Sequence, residues 1–289
     1  LIDPRSFTAQ ARWKRAVILV AGAFMNLVFG VIILFILALT IKTGEISSAK
    51  LAYVYPQSTF ADLIQEGDKI RSVNGHRVFY YSDFSMFLAL PESADGVIDL
   101  VISRGGEKIR YGDLKLERTY IEELGGEYFG FVFENTEMTF GEKLKYTAYS
   151  TYNDVRLIGM SLQMLFTGQA SLRDLSGPVG IVEIINEQGQ KEHTTASGET
   201  YVVPLSVRLY NVFSLAALIA VNLAVMNLLP LPGLDGGRVA GLIITFCVEK
   251  IIRRKLNPKY EGYVHAAGLI LLLGLMAFVL VSDVLKIVR

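Results

Sequence analysis

The chain has 289 residues, equal numbers of acidic and basic side chains, and 52% apolar residues, with a mean hydropathy of +0.40. Soluble domains of this size run at roughly 45–50% apolar, and the excess here is concentrated in three long runs rather than spread. Zero net charge gives no hint of nucleic-acid binding, and the single cysteine, Cys247, excludes an internal disulfide and a Cys-x-x-Cys metal site.

Residues 1–15 form a basic flank carrying Arg5, Arg12, Lys14 and Arg15. The first residue is Leu1 rather than methionine, as in a chain that begins inside a longer protein. Residues 16–41, Ala16 to Ile41, then run without a formal charge. About 20 apolar residues rising ~1.5 Å each cross a ~30 Å hydrocarbon core, so this stretch reads as a transmembrane helix. It is too long for the apolar part of a signal peptide, and the TIKTG that follows is no small-residue cleavage site.

A large segment follows. In STFADLIQEGDKIRSVNGHRV, residues 58–78, Asp62–Gln65 reads as a short helix, and the Gly67-Asp68 pair leads into a strand with alternating Ile70 and Val73. Asn74-Gly75 reads as a tight turn. Asp83–Leu90 has helical character, and GVIDLVISRGGEKIRYG, residues 96–112, gives two strands about Gly105-Gly106. The order small-residue turn, GDKIRSVNG, helix and paired strands resembles a PDZ domain of the bacterial protease type over residues 49–117. The resemblance implies an extended peptide tail added as a strand beside the sheet.

Residues 118–137 return as further strands. TFGEKLKYTAYSTYNDVRLIGMSLQMLFTG, residues 139–168, places Phe140, Leu144, Tyr149, Tyr152, Val155 and Ile158 at roughly helical spacing. It reads as an amphipathic helix, lying on the membrane surface or packed on the β-rich unit. LSGPVGIVEI and the polar loop Asn186–Glu199 complete the stretch 118–204.

The second apolar run, Leu209–Leu234, ends in NLLPLPGLDGGRV and belongs to a predicted span and following short helix over residues 205–249. A basic loop, 250–262, carries Lys250, Arg253, Arg254, Lys255 and Lys259, and a third span covers 263–285. The positive-inside rule puts both basic segments in the cytoplasm and the long 42–204 segment outside. The fold expected is a polytopic α-helical membrane protein with an inserted extracytoplasmic β-rich α+β domain.

The aspartate at position 235 stands out. An ionisable group at membrane depth is costly and faces a protein cavity when it occurs. Pro230 and Pro232 stop the helix, Gly233, Gly236 and Gly237 relax steric limits, and irregular backbone at that depth requires surrounding protein or a wet cavity. The plain alternative makes Asp235 the N-cap of the helix that resumes after the break.

Asn227 through Gly236, N-x-x-P-x-P-x-L-D-G, resembles the motif of the site-2 protease family of intramembrane zinc metalloproteases. WKRAVILVAGAFMNLVFG (13–30), SGPVGI (176–181) and EGYVHAAGLILLLGLMAF (261–278) are similar to other family segments, although the usual AGP-x-x-N is Ala21-Gly22-Ala23-Phe24-Met25-Asn26 here. The helix order is that of the regulator-of-sigma-E protease branch. The resemblance implies Zn²⁺ held by Asp235, and a substrate strand met by Asn227 with Pro230, Pro232, Leu234 and Gly236 around it. It also implies a bacterial inner-membrane location and cleavage of membrane-anchored proteins such as anti-sigma factors.

The family's other two zinc ligands and its general base lie in His-Glu-x-x-His. None of His76, His193 or His265 stands in that pattern. Two readings follow. In one the sequence lacks its N-terminal part, and the residues given are inactive alone. In the other the protein is a pseudoprotease or a PDZ-bearing membrane adaptor. A transporter is a further alternative, since broken helices also build ion sites, but only one break is visible.

Overall fold

A computed structural model describes residues 10–169, 178–190, 192–194, 200–254 and 259–288. Arg5, Lys255, and Ser176 and Gly177 of the SGPVGI stretch lie outside these residues. The chain divides into two compact units, one formed by 39–145 and one by 1–38 with 146–289. In chain order α1 (Arg12–Thr40) leads to β1 (Ser47–Val54), β2 (Lys69–Val73), β3 (His76–Arg77), α2 (Tyr81–Leu88), β4 (Val97–Arg104) and β5 (Glu107–Lys115). Then come β6 (Thr119–Ile121), β7 (Gly126–Tyr128), β8 (Phe131–Asn135), α3 (Phe140–Phe166) and α4 (Pro178–Gln188). The chain closes with β9 (Glu192–Thr194), β10 (Thr200–Val202), α5 (Leu205–Leu228), α6 (Asp235–Ile252) and α7 (Lys259–Val288).

The 39–145 unit is built on a sheet in the order β5-β4-β2-β1-β8, with β3 paired to β2. Asn74 and Gly75 carry the turn between β2 and β3 with φ of 49° and 81°. Both central residues are left-handed, as a two-residue hairpin favours, and Asn and Gly tolerate that region best. β4 and β5 turn at Gly105-Gly106, as their sequence indicates. Phe60, Phe84, Phe87, Ile98 and Ile102 fill the core, and α2 lies over β1 and β2.

Two local readings need correction. Ile70 and Val73 are three residues apart, which in a regular strand puts them on opposite faces, yet both are buried. The pairing of β2 with β4 slips between Ile70 and Ser72, and this bulge brings Val73 back to the core. Asp62–Gln65 forms turns, not a helix. Its backbone groups are drawn elsewhere: the Gln65 N–H donates to Asp68 Oδ2 at 2.8 Å, and the Leu63 carbonyl accepts Arg104 Nη2 at 2.9 Å and the Tyr111 hydroxyl at 2.5 Å.

Asp68 is the anchor of that corner. Its side chain is 1% exposed and accepts two hydrogen bonds from Arg104, from Nε at 2.9 Å and Nη2 at 2.7 Å. Burial raises the carboxyl pKa, but the Arg104 and Gln65 hydrogen bonds and the guanidinium charge outweigh it and hold Asp68 below its ordinary value.

The other unit is helical. α1, α5 and residues Gly262–Leu285 of α7 are each long and apolar enough to cross a membrane. Leu19, Ala23, Gly30, Leu34 and Leu37 form a buried stripe on α1, and Ala217, Ala220, Val221 and Ala224 form one on α5. The stripes meet where Gly30 opposes Val221: a Cβ at Gly30 would stand 2.8 Å from Val221 Cγ2 and 3.3 Å from the Ala217 carbonyl oxygen. Small residues permit this approach, which in lipid replaces hydrophobic burial as the source of packing. α4, unassigned from sequence, packs on α5 and α7. The Arg208 Nε of α5 donates to the Gly189 carbonyl just past α4 at 2.7 Å. Within the stretch read as a polar loop, β9 is a strand and pairs antiparallel with β10, which follows that stretch.

Candidate functional site

The motif Asn227–Gly236 falls on the junction of α5 and α6. α5 ends at Leu228, with Leu229 already extended at φ −63°, ψ 141°. Pro230 and Pro232 cannot donate to the preceding turn, so the helix stops there. The six residues Leu229–Leu234 are non-helical, tied by short turns from the Leu231 N–H to the Leu229 carbonyl and from the Leu234 N–H to the Leu231 carbonyl. Asn227 is thus held in the last turn of α5, and Pro230, Pro232 and Leu234 in the connecting loop. Asp235 and Gly236 open α6.

Its glycines serve two different ends. Gly233 sits at φ 101°, a region closed to most side chains. Gly236 and Gly237 are helical and are needed for space. A Cβ on Gly236 would overlap the Leu228 and Leu229 carbonyl oxygens, and one on Gly237 would overlap the Leu231 carbonyl. The first turn of α6 therefore rests directly on the carbonyl end of α5.

α7 closes the loop from another side. A Cβ on Gly233 would lie 2.7 Å from Leu272 Cδ1 and 2.9 Å from the Gly268 carbonyl carbon, and one on Gly268 would overlap Pro232. Gly268 was not singled out in the sequence because nothing local marks it; only the fold brings it to Pro232. It stands six residues into the apolar segment Gly262–Leu285, so the break lies about 9 Å from that segment's start.

Asp235 is half-buried and is the first residue of α6, with Leu234 as the N-cap and no side-chain cap hydrogen bond. The N-cap reading is therefore corrected. The backbone already turns helical at Asp235, and the extended Leu234 before it takes the cap position. Among the described residues neither Asp235 nor the half-buried Asn227 forms a side-chain hydrogen bond or ion pair. The other end of α6 is tied down: Glu249 pairs with Arg12 of α1, whose guanidinium also lies 5.7 Å over the Phe246 ring.

Among the described residues no three His, Cys, Asp or Glu side chains gather to hold a metal. His76 pairs with Glu92 at 3.1 Å and stacks on Phe87 in the sheet unit, and His193 lies on β9. His265 stands on α7 one turn before Gly268. Asp235 is a single carboxylate at the break, whereas a catalytic zinc takes three protein ligands and one open position, so the described residues do not by themselves fit that ion.

A family description, that of peptidase family M50, matches residues 2–275. The chain belongs to the M50, or site-2 protease, family of zinc metalloendopeptidases. It is 31% identical over 286 residues to a putative zinc metalloprotease of Clostridium perfringens, covering 98% of this chain and 77% of that protein. It is 28% identical over 286 residues to the regulator of sigma-W protease RasP of Bacillus subtilis, covering 98% of this chain and 62% of that protein. The zinc metalloprotease RasP of Oceanobacillus iheyensis is 28% identical over 292 residues, again covering 98% of this chain and 62% of the relative. Family membership and the three apolar helices make this M50 chain a membrane protein.

Proposed function

We propose that this chain carries the substrate-holding wall and one metal-ligand position of an intramembrane protease that cleaves membrane-anchored proteins, such as anti-sigma factors, near the cytoplasmic face. The observation that carries the reading is Asp235: in an M50 chain, a carboxylate with no side-chain partner among the described residues opens a helix that restarts within apolar surroundings. Asp235 is the metal-ligating residue in this reading. The remaining ligands are not met by the described residues.

The wall's work is positional. A substrate helix hides its carbonyls in its own ladder and must be extended before it can be cut. The Asn227 amide, which makes no side-chain hydrogen bond among the described residues, supplies a donor and an acceptor for such an extended strand. The loop Leu229–Leu234, whose N–H groups are mostly absent at proline or used in its own turns, supplies chiefly carbonyl acceptors. Pro230 and Pro232 keep that backbone out of a helix, Leu234 takes the cap position, and Gly236 gives the start of α6 room against the Leu228 and Leu229 carbonyls.

The reading of the sheet unit as a peptide-binding PDZ domain is supported by a groove of about 850 Å³ between α2 and the edge strand β8, lined by Tyr81, Phe84 and Leu88 on one side and Phe129, Phe131 and Phe133 on the other. An edge strand facing an apolar helix is what strand addition of a peptide tail requires. We place the unit over residues 47–135, because the sheet includes β8, rather than 49–117. The exposed row Phe140, Leu144, Tyr152, Val155 and Phe166 on α3 suits a helix lying on the outer bilayer surface. With the basic segments in the cytoplasm, these parts lie outside a bacterial inner membrane.

The decisive experiment uses membranes from cells carrying the intact gene and a membrane-anchored anti-sigma substrate. Asp235→Asn is expected to abolish release of the substrate's cytoplasmic fragment at unchanged protein level. Cleavage at the unaltered rate by that variant overturns the assignment.

A further inference from the structure

The sheet unit holds a second cavity of about 290 Å³, whose lining includes Lys69 and Arg71 of β2, Arg77 of β3, Lys145 of α3, Tyr80 and Thr136. Two carboxylates also face it, and both are already engaged: Glu134 pairs with Lys50 at 2.9 Å, and Glu142 with Lys145 at 3.1 Å. Lys69 and Arg71 form no ion pair or side-chain hydrogen bond among the described residues. They stand two residues apart on the exposed side of β2, to either side of the buried Ile70.

Cross-strand register adds to the repulsion. Lys50 and Lys69 are direct partners between β1 and β2, an arrangement that costs stability when both are charged. Burial, and then the charges of Arg71, Lys145 and Arg77, pull the Lys69 pKa below its ordinary value against the opposing effect of Glu142. A separate feature points the same way. Thr136 Oγ1, in the lining, is buried without a hydrogen-bond partner. Lys69 and Arg71, with no ion pair among the described residues, beside the Thr136 hydroxyl make a site suited to an anion.

Its location is fixed by one contact. Lys143 Nζ donates to the Leu39 carbonyl at 2.7 Å, so the turn carrying Lys145 is fastened to the last residues of α1, where the apolar span ends. We propose that this cavity binds a phosphate group, carried either by the headgroup of an anionic phospholipid or by a free phosphate-bearing solute. Arg71 and Arg77 supply forked donors for its oxygens, Lys69 a point charge, and Thr136 a hydroxyl donor.

The test is thermal unfolding of the full chain in neutral detergent, at constant ionic strength, with inorganic phosphate, short-chain phosphatidylglycerol, or short-chain phosphatidylcholine added. At about ten times its Kd, phosphate or phosphatidylglycerol is expected to raise Tm by roughly 3 °C, and phosphatidylcholine to leave it unchanged. A response to phosphatidylglycerol alone assigns the lipid source, and a response to phosphate assigns the solute. The double variant K69Q/R71Q is expected to lose the response while matching or exceeding the unliganded protein's Tm, because it removes repulsion. No rise with either anion, or an equal rise in the double variant, overturns the proposal.

Discussion

Gly268 of α7 lies against the backbone of Pro232, so closely that a single added methyl group at position 268 would overlap the Pro232 carbonyl. Two elements far apart in sequence are thereby locked at the point where the helix is broken.

Gly268→Ala is expected to destabilise the protein by roughly 1–3 kcal/mol, since the overlap is with backbone and cannot be relieved by a side-chain rotation. Gly274→Ala, six residues on along the same helix, meets nothing within 4 Å and should be neutral or stabilising. Thermal unfolding of the two variants in one detergent checks the contrast. Equal Tm values would show that the break is not held by α7.

Asp235→Asn should separate function from stability. The carboxylate makes no side-chain hydrogen bond among the described residues, and its stabilising interaction with the start of α6 is worth under about 1 kcal/mol. Loss of proteolysis with Tm nearly unchanged is therefore expected. A drop of many degrees would make Asp235 a structural residue instead.

Groove occupancy can be tested at Ser85, an exposed α2 residue that lines the α2–β8 groove. Ser85→Trp fills the channel from its rim without touching Phe84 or Phe87 in the core. Binding of a fluorescent peptide tail, measured by anisotropy, should weaken at least tenfold while unfolding is unaltered. Unchanged affinity would exclude this groove as the peptide site.

Asp154 on α3 gives a pH signature. Burial pushes its carboxyl up to about 6, and its Oδ2 is buried without a hydrogen-bond partner. The folded state therefore keeps a proton that the unfolded chain releases near the ordinary value of 3.8. Stability is fully present below that value and falls as pH rises through about 6. Asp154→Asn should flatten this slope and raise stability at pH 7 by roughly 1–2 kcal/mol. Unfolding at pH 4, 5, 6 and 7 tests the sign.

The spans, the two hairpins at Asn74-Gly75 and Gly105-Gly106, and the helix break were legible because each is written in local chemistry: uncharged runs, turn residues, paired prolines. What escaped depends on partners distant in sequence. Gly268 is an ordinary residue of an apolar helix until Pro232 arrives. Ile70 and Val73 share a face only because β4 imposes a bulge, and Asp62–Gln65 is kept from coiling by Arg104 and Tyr111. At the break, sequence located Asp235 to within one residue, but the choice between capping and opening α6 was made by Leu234, whose extended backbone takes the cap position. α4 was missed because its short apolar run becomes a helix through its contacts with α5 and α7.

The glycine seats beneath Asp235 have a kinetic corollary under the proposed function. A gap already cut into the protein's own architecture, and braced on two flanks, demands no rearrangement on arrival of a client. The slow event then moves to the client, whose own coil must loosen before its backbone can be engaged. Clients with brittle, glycine- or proline-bearing segments would be turned over first, and the enzyme's selectivity would read fragility rather than spelling.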